Sequence, residues 1–152
     1  MATTITPGTL TVKITETVAL NGTNMDATNS LTIGSINEIN QRIVTIPPGE
    51  KVIIYEFGTI VGPGKFVYAN AEYFRLTNKD DALHVNVNLT SATTNQWQRV
   101  GPGQSLMCSM LGVEGVASGT VTGMVAKDIT AIEVQNDDQT VSVDIDCYVG
   151  LT

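Results

Sequence analysis

Apolar and polar residues alternate along much of the chain, and this period of two predicts β-strands. The clearest stretch, "TLTVKITETVAL" at 9–20, has apolar residues at its even positions, and only Glu16 departs from the rule. The segments "LHVNVNL" at 83–89 and "TVSVDIDCYVG" at 140–150 alternate in the same way. Such alternation is typical of antiparallel strands that place one face on a core and the other in water.

Further strands are predicted between these segments, and no segment has a convincing helical period. The weaker candidates are residues 31–36, 42–46, 51–57, 73–77, 96–100, 104–110 and 120–134. Turn signals such as Asn21-Gly22 separate the strands at short intervals. We therefore expect an all-β protein, a single antiparallel β-sandwich that is jelly-roll-like, with about eight to ten strands and no strict internal repeat.

The first residues, "MATTITPG", are polar and have few groups that could anchor them to a core. We expect an N-terminal arm at 1–8 and a β-sandwich domain at 9–152. The N-terminus lacks the basic and apolar regions of a signal peptide, and no apolar run approaches the roughly 20 residues that span a bilayer. These features predict a protein made in a cytoplasm, with no membrane partner.

Charge argues against one large class of partner. Charged residues make up 15% of the 152 residues, and the net charge is −7. The eight Lys and Arg residues are scattered along the chain, so no basic patch is predicted that could neutralise a run of phosphates. Nucleic acid is therefore not an expected partner.

Two glycine-rich pentapeptides, "VGPGK" at 61–65 and "VGPGQ" at 100–104, raise the question of a phosphate-binding loop. A P-loop needs an earlier glycine where Thr59 stands, and Ser or Thr where Phe66 stands. The alternative is a type II turn, in which proline fixes the second position and glycine supplies a positive φ at the third. We predict turns, with positive φ at the second glycine of each, Gly64 and Gly103.

No catalytic, cofactor-binding or metal-binding residue is predicted. His84, the only histidine, lies on the polar side of its strand, where a solvated role is expected. Asp144 and Asp146 share a strand face, as the paired carboxylates of a glycosidase could, so a glycan hydrolase is kept as an alternative. Turn caps and solvated faces are the expected roles of the acidic residues, including Asp80, Asp81, Asp137 and Asp138.

The two cysteines, Cys108 and Cys147, lie on the apolar sides of their strands and match no metal-binding spacing. We expect two buried free thiols, although the sequence leaves a disulfide between them open. The aromatic residues could form a sugar-stacking platform, but they are only 5% of the chain. We expect core or interface packing for Trp97, Tyr55, Tyr68, Tyr73 and Tyr148.

One long stretch resembles a known kind of protein. "YFRLTNKDDALHVNVNL" at 73–89, "NQWQRVGPGQSLMCSM" at 95–110 and the final strand of valines and aspartates are similar to small β-sandwich virion structural proteins of tailed bacteriophages. "TLTVKITETVALNG" at 9–22 and "RIVTIPPGEKVIIYEF" at 42–57 extend the resemblance to most of residues 9–150. The resemblance implies a structural role in a virion and carries no catalytic motif.

We therefore expect a non-enzymatic capsid decoration or knob-like protein on the head exterior, synthesised in the host cytoplasm. Its partners would be the major capsid protein or other virion proteins, and a homo-oligomer is expected, with a trimer implied by analogy. The expected contact segments are the arm at residues 2–9 and the loops at 23–30, 90–96 and 112–119. The alternative is a carbohydrate-binding β-sandwich module of a phage adhesin or tail component.

Overall fold

A computed structural model describes residues 4–91, 95–109 and 129–152. Within these ranges thirteen strands and one 3-10 turn form, and the turn covers Tyr68–Asn70. The strands are β1 (Gly8–Glu16), β2 (Ala19–Leu20), β3 (Thr23–Asn24), β4 (Ala27–Ile36), β5 (Glu38–Ile46), β6 (Lys51–Gly58), β7 (Lys65–Val67), β8 (Ala71–Asn78), β9 (Val85–Ser91), β10 (Asn95–Val100), β11 (Ser105–Ser109), β12 (Ile129–Gln135) and β13 (Val143–Leu151).

Two sheets form the sandwich, as the alternation predicts. One has the order β10-β9-β12-β6-β7 and the other the order β11-β8-β13-β5, and all pairs are antiparallel except β6 with β7. The chain passes repeatedly between the sheets, because β5, β8, β11 and β13 belong to one and β6, β9, β10 and β12 to the other. This arrangement confirms the predicted all-β sandwich and its jelly-roll character.

The core lies between the two sheets. At alternate positions of each strand, the side chains that face the other sheet are almost fully shielded from solvent. The largest of them include Tyr55, Phe74, Leu76, Ile132 and Ile145. The rings of Tyr55 and Phe74 meet edge to face, with 6.0 Å between their centroids. Because burying one such side chain contributes about 1.5–3 kcal/mol, this layer supplies the main stabilisation of the fold.

The glycine-rich pentapeptides form tight turns, as predicted. Gly64 and Gly103 have φ values of 73° and 65°. The Lys65 N–H donates to the Gly62 carbonyl oxygen at 3.0 Å, and the Gln104 N–H donates to that of Gly101 at 3.1 Å. Such closing bonds leave the loop N–H groups at Lys65 and Gln104 engaged within the turn rather than free to hold a phosphate.

The strand order relates the two halves of the sandwich to each other, although the sequence has no strict internal repeat. The first half of the sandwich contains β5, β6, β8 and β9, and the second half contains β10, β11, β12 and β13. Replacing each strand by its counterpart converts the order β10-β9-β12-β6 into β5-β13-β8-β11, which is the other sheet read backwards. The turn sequences "PPGE" at 47–50 and "GPGQ" at 101–104 occupy matching places in the two halves.

Residues 8–36 lie outside the two main sheets. There β1 pairs with β4, and at the far end β2 pairs with β3. The predicted turn at Asn21-Gly22 is confirmed, because both residues have positive φ, at 51° and 78°, as a two-residue hairpin turn requires. We call residues 8–36 the N-terminal hairpin. The division into an arm at 1–8 and a domain at 9–152 stays a prediction.

Candidate functional site

The N-terminal hairpin has one apolar face and one polar face. On the apolar face Leu10 pairs with Ile33, and Val12 pairs with Leu31. The opposite face carries Thr, Ser and Lys side chains, namely Thr11, Lys13, Thr15, Thr28, Ser30 and Thr32. Alternation in β1 and β4 therefore gives a two-stranded ribbon that can bury one side.

The base of this hairpin packs on the outer face of the sheet containing β8 and β13. Ile33 and Ile36 are buried there together with Tyr73, and Leu10, Val12 and Tyr148 pack around them. The rings of Tyr73 and Tyr148 lie 5.9 Å apart and form the surface on which the hairpin rests. The two tyrosines therefore attach the hairpin to the sandwich.

Close packing at Gly150 in β13 makes this attachment tight. A Cβ atom at this position would lie 3.4 Å from Leu10 Cδ2 and 3.6 Å from Ile36 Cδ1. These are ordinary van der Waals distances, so a methyl group would fit and a larger side chain would push the hairpin away. The absence of a side chain at Gly150 thus sets how closely the hairpin lies against β13.

Beyond its base, the apolar side chains of the hairpin are exposed. Leu20 and Met25, near the β2–β3 turn, are 58% and 59% exposed, and Ile14, Val18 and Leu31 are exposed as well. A groove of about 190 Å³ runs along this face beside Tyr73 and Met107. An apolar strip that continues from a packed base into solvent is a candidate contact surface.

The expected contact segments have mixed outcomes. Residues 4–9 are exposed, and they lead into β1. Residues 23–30 were expected to be a loop, but they contain β3 and the start of β4, so that expectation was wrong. In the segment 90–96, residues 92–94 lie outside the described residues, and so does the whole of 112–119.

The loop around "VGPGK" borders a cleft of about 420 Å³ between β5 and β7. Its cationic side chains already have protein partners. Lys65 Nζ lies 2.6 Å from Glu56 Oε1. Arg42 donates to the Ile54 carbonyl oxygen, and its guanidinium lies 4.9 Å from the centre of the Tyr55 ring. With Lys65 paired to a carboxylate, the geometry gives no support to a phosphate site.

The acidic candidates of the sequence take part in hydrogen bonds within the fold. Asp144 accepts from Thr45 Oγ1 at 2.6 Å, and Asp146 forms an ion pair with Arg75 at 2.7 Å. Asp80 and Asp138 are turn caps: backbone N–H groups, above all those of Leu83 and Thr140 respectively, hold the pKa of each carboxyl below its usual range. These contacts match the expected structural roles.

His84 is partly exposed, and its Nε2 lies 3.8 Å from Asp137 Oδ2. Across residues 4–91, 95–109 and 129–152 no group of three or more His, Cys, Asp or Glu side chains is placed to hold a metal ion. No helix within these ranges is long and apolar enough to cross a membrane.

Both cysteines are free thiols, as expected. Cys147 is fully buried, and burial raises the pKa of its thiol to about 12. Cys108 is only partly buried, and the same cause raises its pKa. Their strands, β11 and β13, lie on opposite sides of β8, so the two thiols are separated by two strand spacings.

The aromatic residues do not form one platform. Tyr55 is in the core, and Tyr73 and Tyr148 lie beneath the N-terminal hairpin. Trp97 instead lies on the outer face of the sheet, 48% exposed, which excludes core packing and leaves the expected interface role a prediction. Comparison with protein-family models and with curated proteins finds no match for the chain.

Proposed function

We propose that this protein is a non-enzymatic structural subunit of a bacteriophage virion, which decorates the exterior of the capsid. The observation that carries the proposal is the exposed apolar face of the N-terminal hairpin. Its base is buried on Tyr73 and Tyr148, and its outer part, with Leu20 and Met25, has no cover from the described residues. The resemblance of residues 9–150 to phage β-sandwich proteins agrees with this role.

The mechanism we propose is burial rather than chemistry. A neighbouring virion subunit, either the major capsid protein or another virion protein, would cover the apolar strip of the hairpin. Burial of apolar surface contributes about 25 cal/mol for each Å² removed from water, so a ribbon of this kind can supply much of an attachment energy. The open edges of β1 and β4 add unpaired backbone groups that a partner strand could bond.

We further propose a homo-oligomer, with a trimer as the expected state, because decoration subunits fit closed symmetric assemblies. Light scattering of the purified protein gives the mass of the assembly directly. A monomer at all concentrations tested would contradict the oligomer and leave the attachment proposal in place.

The test of attachment uses particles that lack the protein. Purified chain is added to such particles, and bound protein is measured after sedimentation and located by electron microscopy. A double variant, Leu20→Ser with Met25→Ser, should lose attachment and keep its stability, because both side chains are exposed. The matched control is Ile43→Ser, which removes a 68% exposed apolar residue from β5.

Two outcomes would contradict the proposal. One is the absence of the protein from purified particles by mass spectrometry. The other is equal attachment of the double variant and the wild type, which would exclude the hairpin as the contact surface. Binding to tail structures alone would keep a virion role and exclude capsid decoration.

A further inference from the structure

The outer face of the β10-β9-β12-β6 sheet is polar and well ordered by hydrogen bonds. Four residues on adjacent strands form a row across the middle of this face: Trp97, Asn88, Glu133 and Ile53. Each is paired with the next in the register of its strands. Lys51 Nζ lies 3.1 Å from Glu133 Oε2, and Arg99 Nε donates to Asn86 Oδ1 at 3.4 Å. The buried base of the N-terminal hairpin packs on the other sheet, around Tyr73 and Tyr148.

Trp97 is unusual among the aromatic residues, because it lies with its side chain on this polar face. It is 48% exposed, whereas Tyr55, Tyr73 and Phe74 are buried. An exposed indole surrounded by amide and carboxylate groups presents an apolar ring surface beside hydrogen-bonding partners. That combination suits a ligand that has both an apolar C–H face and hydroxyl groups.

Asn88 provides an independent indication of a ligand. It is only 3% exposed, and its Nδ2 donates to Thr90 Oγ1, Asn95 Oδ1 and Glu133 Oε2 at 3.0, 3.4 and 2.9 Å. Its Oδ1 is buried and has no hydrogen-bond partner among the described residues. A buried acceptor without a donor costs about 1–3 kcal/mol, so a ligand that supplies a donor would gain from reaching it.

We propose that this face binds a neutral saccharide, with one sugar ring stacked on Trp97 and a hydroxyl group donating to Asn88 Oδ1. Glu133 offers a carboxylate acceptor for a second hydroxyl in the same row. A neutral sugar fits better than an acidic one, because the chain carries a net charge of −7 and Glu133 would repel a carboxylate or sulfate. The site is separate from the N-terminal hairpin and does not depend on capsid attachment.

Because Asn88 Oδ1 is shielded from water, side chains around it must shift when the sugar binds. Trp97, directly opposite on β10, is placed to move with them. Binding should therefore alter the surroundings of the indole. Trp97 is the only tryptophan of the chain, so tryptophan fluorescence, excited selectively over that of the four tyrosines, reports on this site alone.

The experiment titrates the full chain with neutral oligosaccharides of glucose, galactose, mannose and N-acetylglucosamine. We expect a saturable change of tryptophan fluorescence with at least one of them, and heat release by calorimetry with the same ligand. By calorimetry, Trp97→Ala should weaken binding at least about tenfold, and Trp97→Phe should retain part of the affinity because a smaller ring remains. Ile43→Ala, on the other sheet, should bind like the wild type.

Three results would overturn the proposal. The first is the absence of saturable binding across the whole panel at millimolar sugar. The second is wild-type affinity in a Trp97→Ala variant whose circular dichroism shows a folded β protein. The third is loss of particle attachment in Trp97→Ala with no saccharide binding by the wild type, which would identify this face as a protein-docking surface.

Discussion

Asn78 and Asn136 make the same hydrogen bonds in the two halves of the sandwich. Asn78 Nδ2 lies 2.8 Å from the Leu83 carbonyl oxygen, and Asn136 Nδ2 lies 2.8 Å from that of Val141. The Oδ1 atom of each accepts the N–H two residues later, at 3.0 Å in both cases. Each amide also reaches the last residue of a strand in the opposite sheet, Val100 or Ile46.

This equivalence predicts equal costs for two distant substitutions. Asn78→Ala and Asn136→Ala should each lower the free energy of unfolding by about 1–3 kcal/mol or more, because each substitution leaves buried backbone groups without hydrogen-bond partners. Urea denaturation measures both values. Asn29→Ala, an exposed amide in β4, is the control and should change little. A large effect at one asparagine only would contradict the structural equivalence.

The turn glycines should be sensitive to a side chain for conformational reasons alone. At Gly103 φ is 65°, and no atom lies within 4 Å of a Cβ built there. We expect Gly103→Ala to cost about 1–2 kcal/mol, since L-residues disfavour this region, and Gly64→Ala to behave alike. Gly34→Ala is the control, because a Cβ at Gly34 also meets no atom within 4 Å but its φ is not positive; this variant should keep the wild-type stability. Thermal unfolding of the three variants tests the distinction.

Attachment of the N-terminal hairpin should depend on the size of residue 150. Gly150→Leu should displace Leu10 and Ile36 and release the hairpin, whereas Gly150→Ala should be tolerated. Lys13, on the exposed face of β1, provides a trypsin site for detecting release. Limited proteolysis followed by mass spectrometry should show faster cleavage after Lys13 in the leucine variant. Equal cleavage in all three proteins would mean that Gly150 does not control the hairpin.

Acid should weaken the turn that Asp138 caps. Hydrogen bonds from the Thr140 N–H and Oγ1 and from the Val141 N–H hold the pKa of this carboxyl below its ordinary value of 3.8. A lowered folded-state pKa means that the stabilisation is fully present above that value and is lost as the pH falls through the folded-state pKa.

Asp138→Asn keeps an acceptor oxygen and cannot be protonated in this range, so its unfolding free energy should fall less than that of the wild type below about pH 4. Urea denaturation at a series of pH values measures the difference. Asp81→Asn, an exposed acid in the matching turn of the other half, should keep the wild-type pH dependence. A wild-type profile for Asp138→Asn would show that the capping bonds do not set the acid response.

The thiols should differ in reactivity and should not join. Two strand spacings are about 9–10 Å, beyond the roughly 7 Å limit on Cα separation for a disulfide. At pH 8, Cys147, with its pKa near 12, should resist iodoacetamide until the protein unfolds, and Cys108 should react slowly. Peptide mass spectrometry of native and denatured samples checks this order. Rapid labelling of native Cys147 would contradict its burial.

Sequence patterns predicted the fold well where one side of a strand is buried. The segments at 83–89 and 140–150 became β9 and β13 because burial on one side requires apolar residues at alternate positions. Residues 23–30 were missed for the opposite reason. Both sides of that part of the hairpin are exposed, so nothing requires its polar residues to alternate with apolar ones.

The relation between the two halves was not predicted, because the halves share hydrogen-bonding residues rather than strand sequences. "NKDDAL" at 78–83 and "NDDQTV" at 136–141 share an asparagine and an aspartate at the same spacing. These two residues were visible in the sequence, but a match of two positions is too short to predict a structural relation. The position of Trp97 on the outer face could be predicted only in part. Alternation places the Trp97 side chain on one face of its strand and those of Gln96 and Gln98 on the other, but it does not say which face meets the core.

The strand order also determines how the chain must fold. Apart from the short β7, which pairs with β6, every strand of the two sheets has neighbours only from the other half: β8 lies between β11 and β13, and β9 lies between β10 and β12. Neither half can therefore build a sheet by itself, and early local collapse gains few native pairings. We expect slow, all-or-none folding of the sandwich, with no stable half-length fragment. Apart from the β9–β10 and β6–β7 pairs, distant segments must meet before a pairing within the two sheets contributes stability.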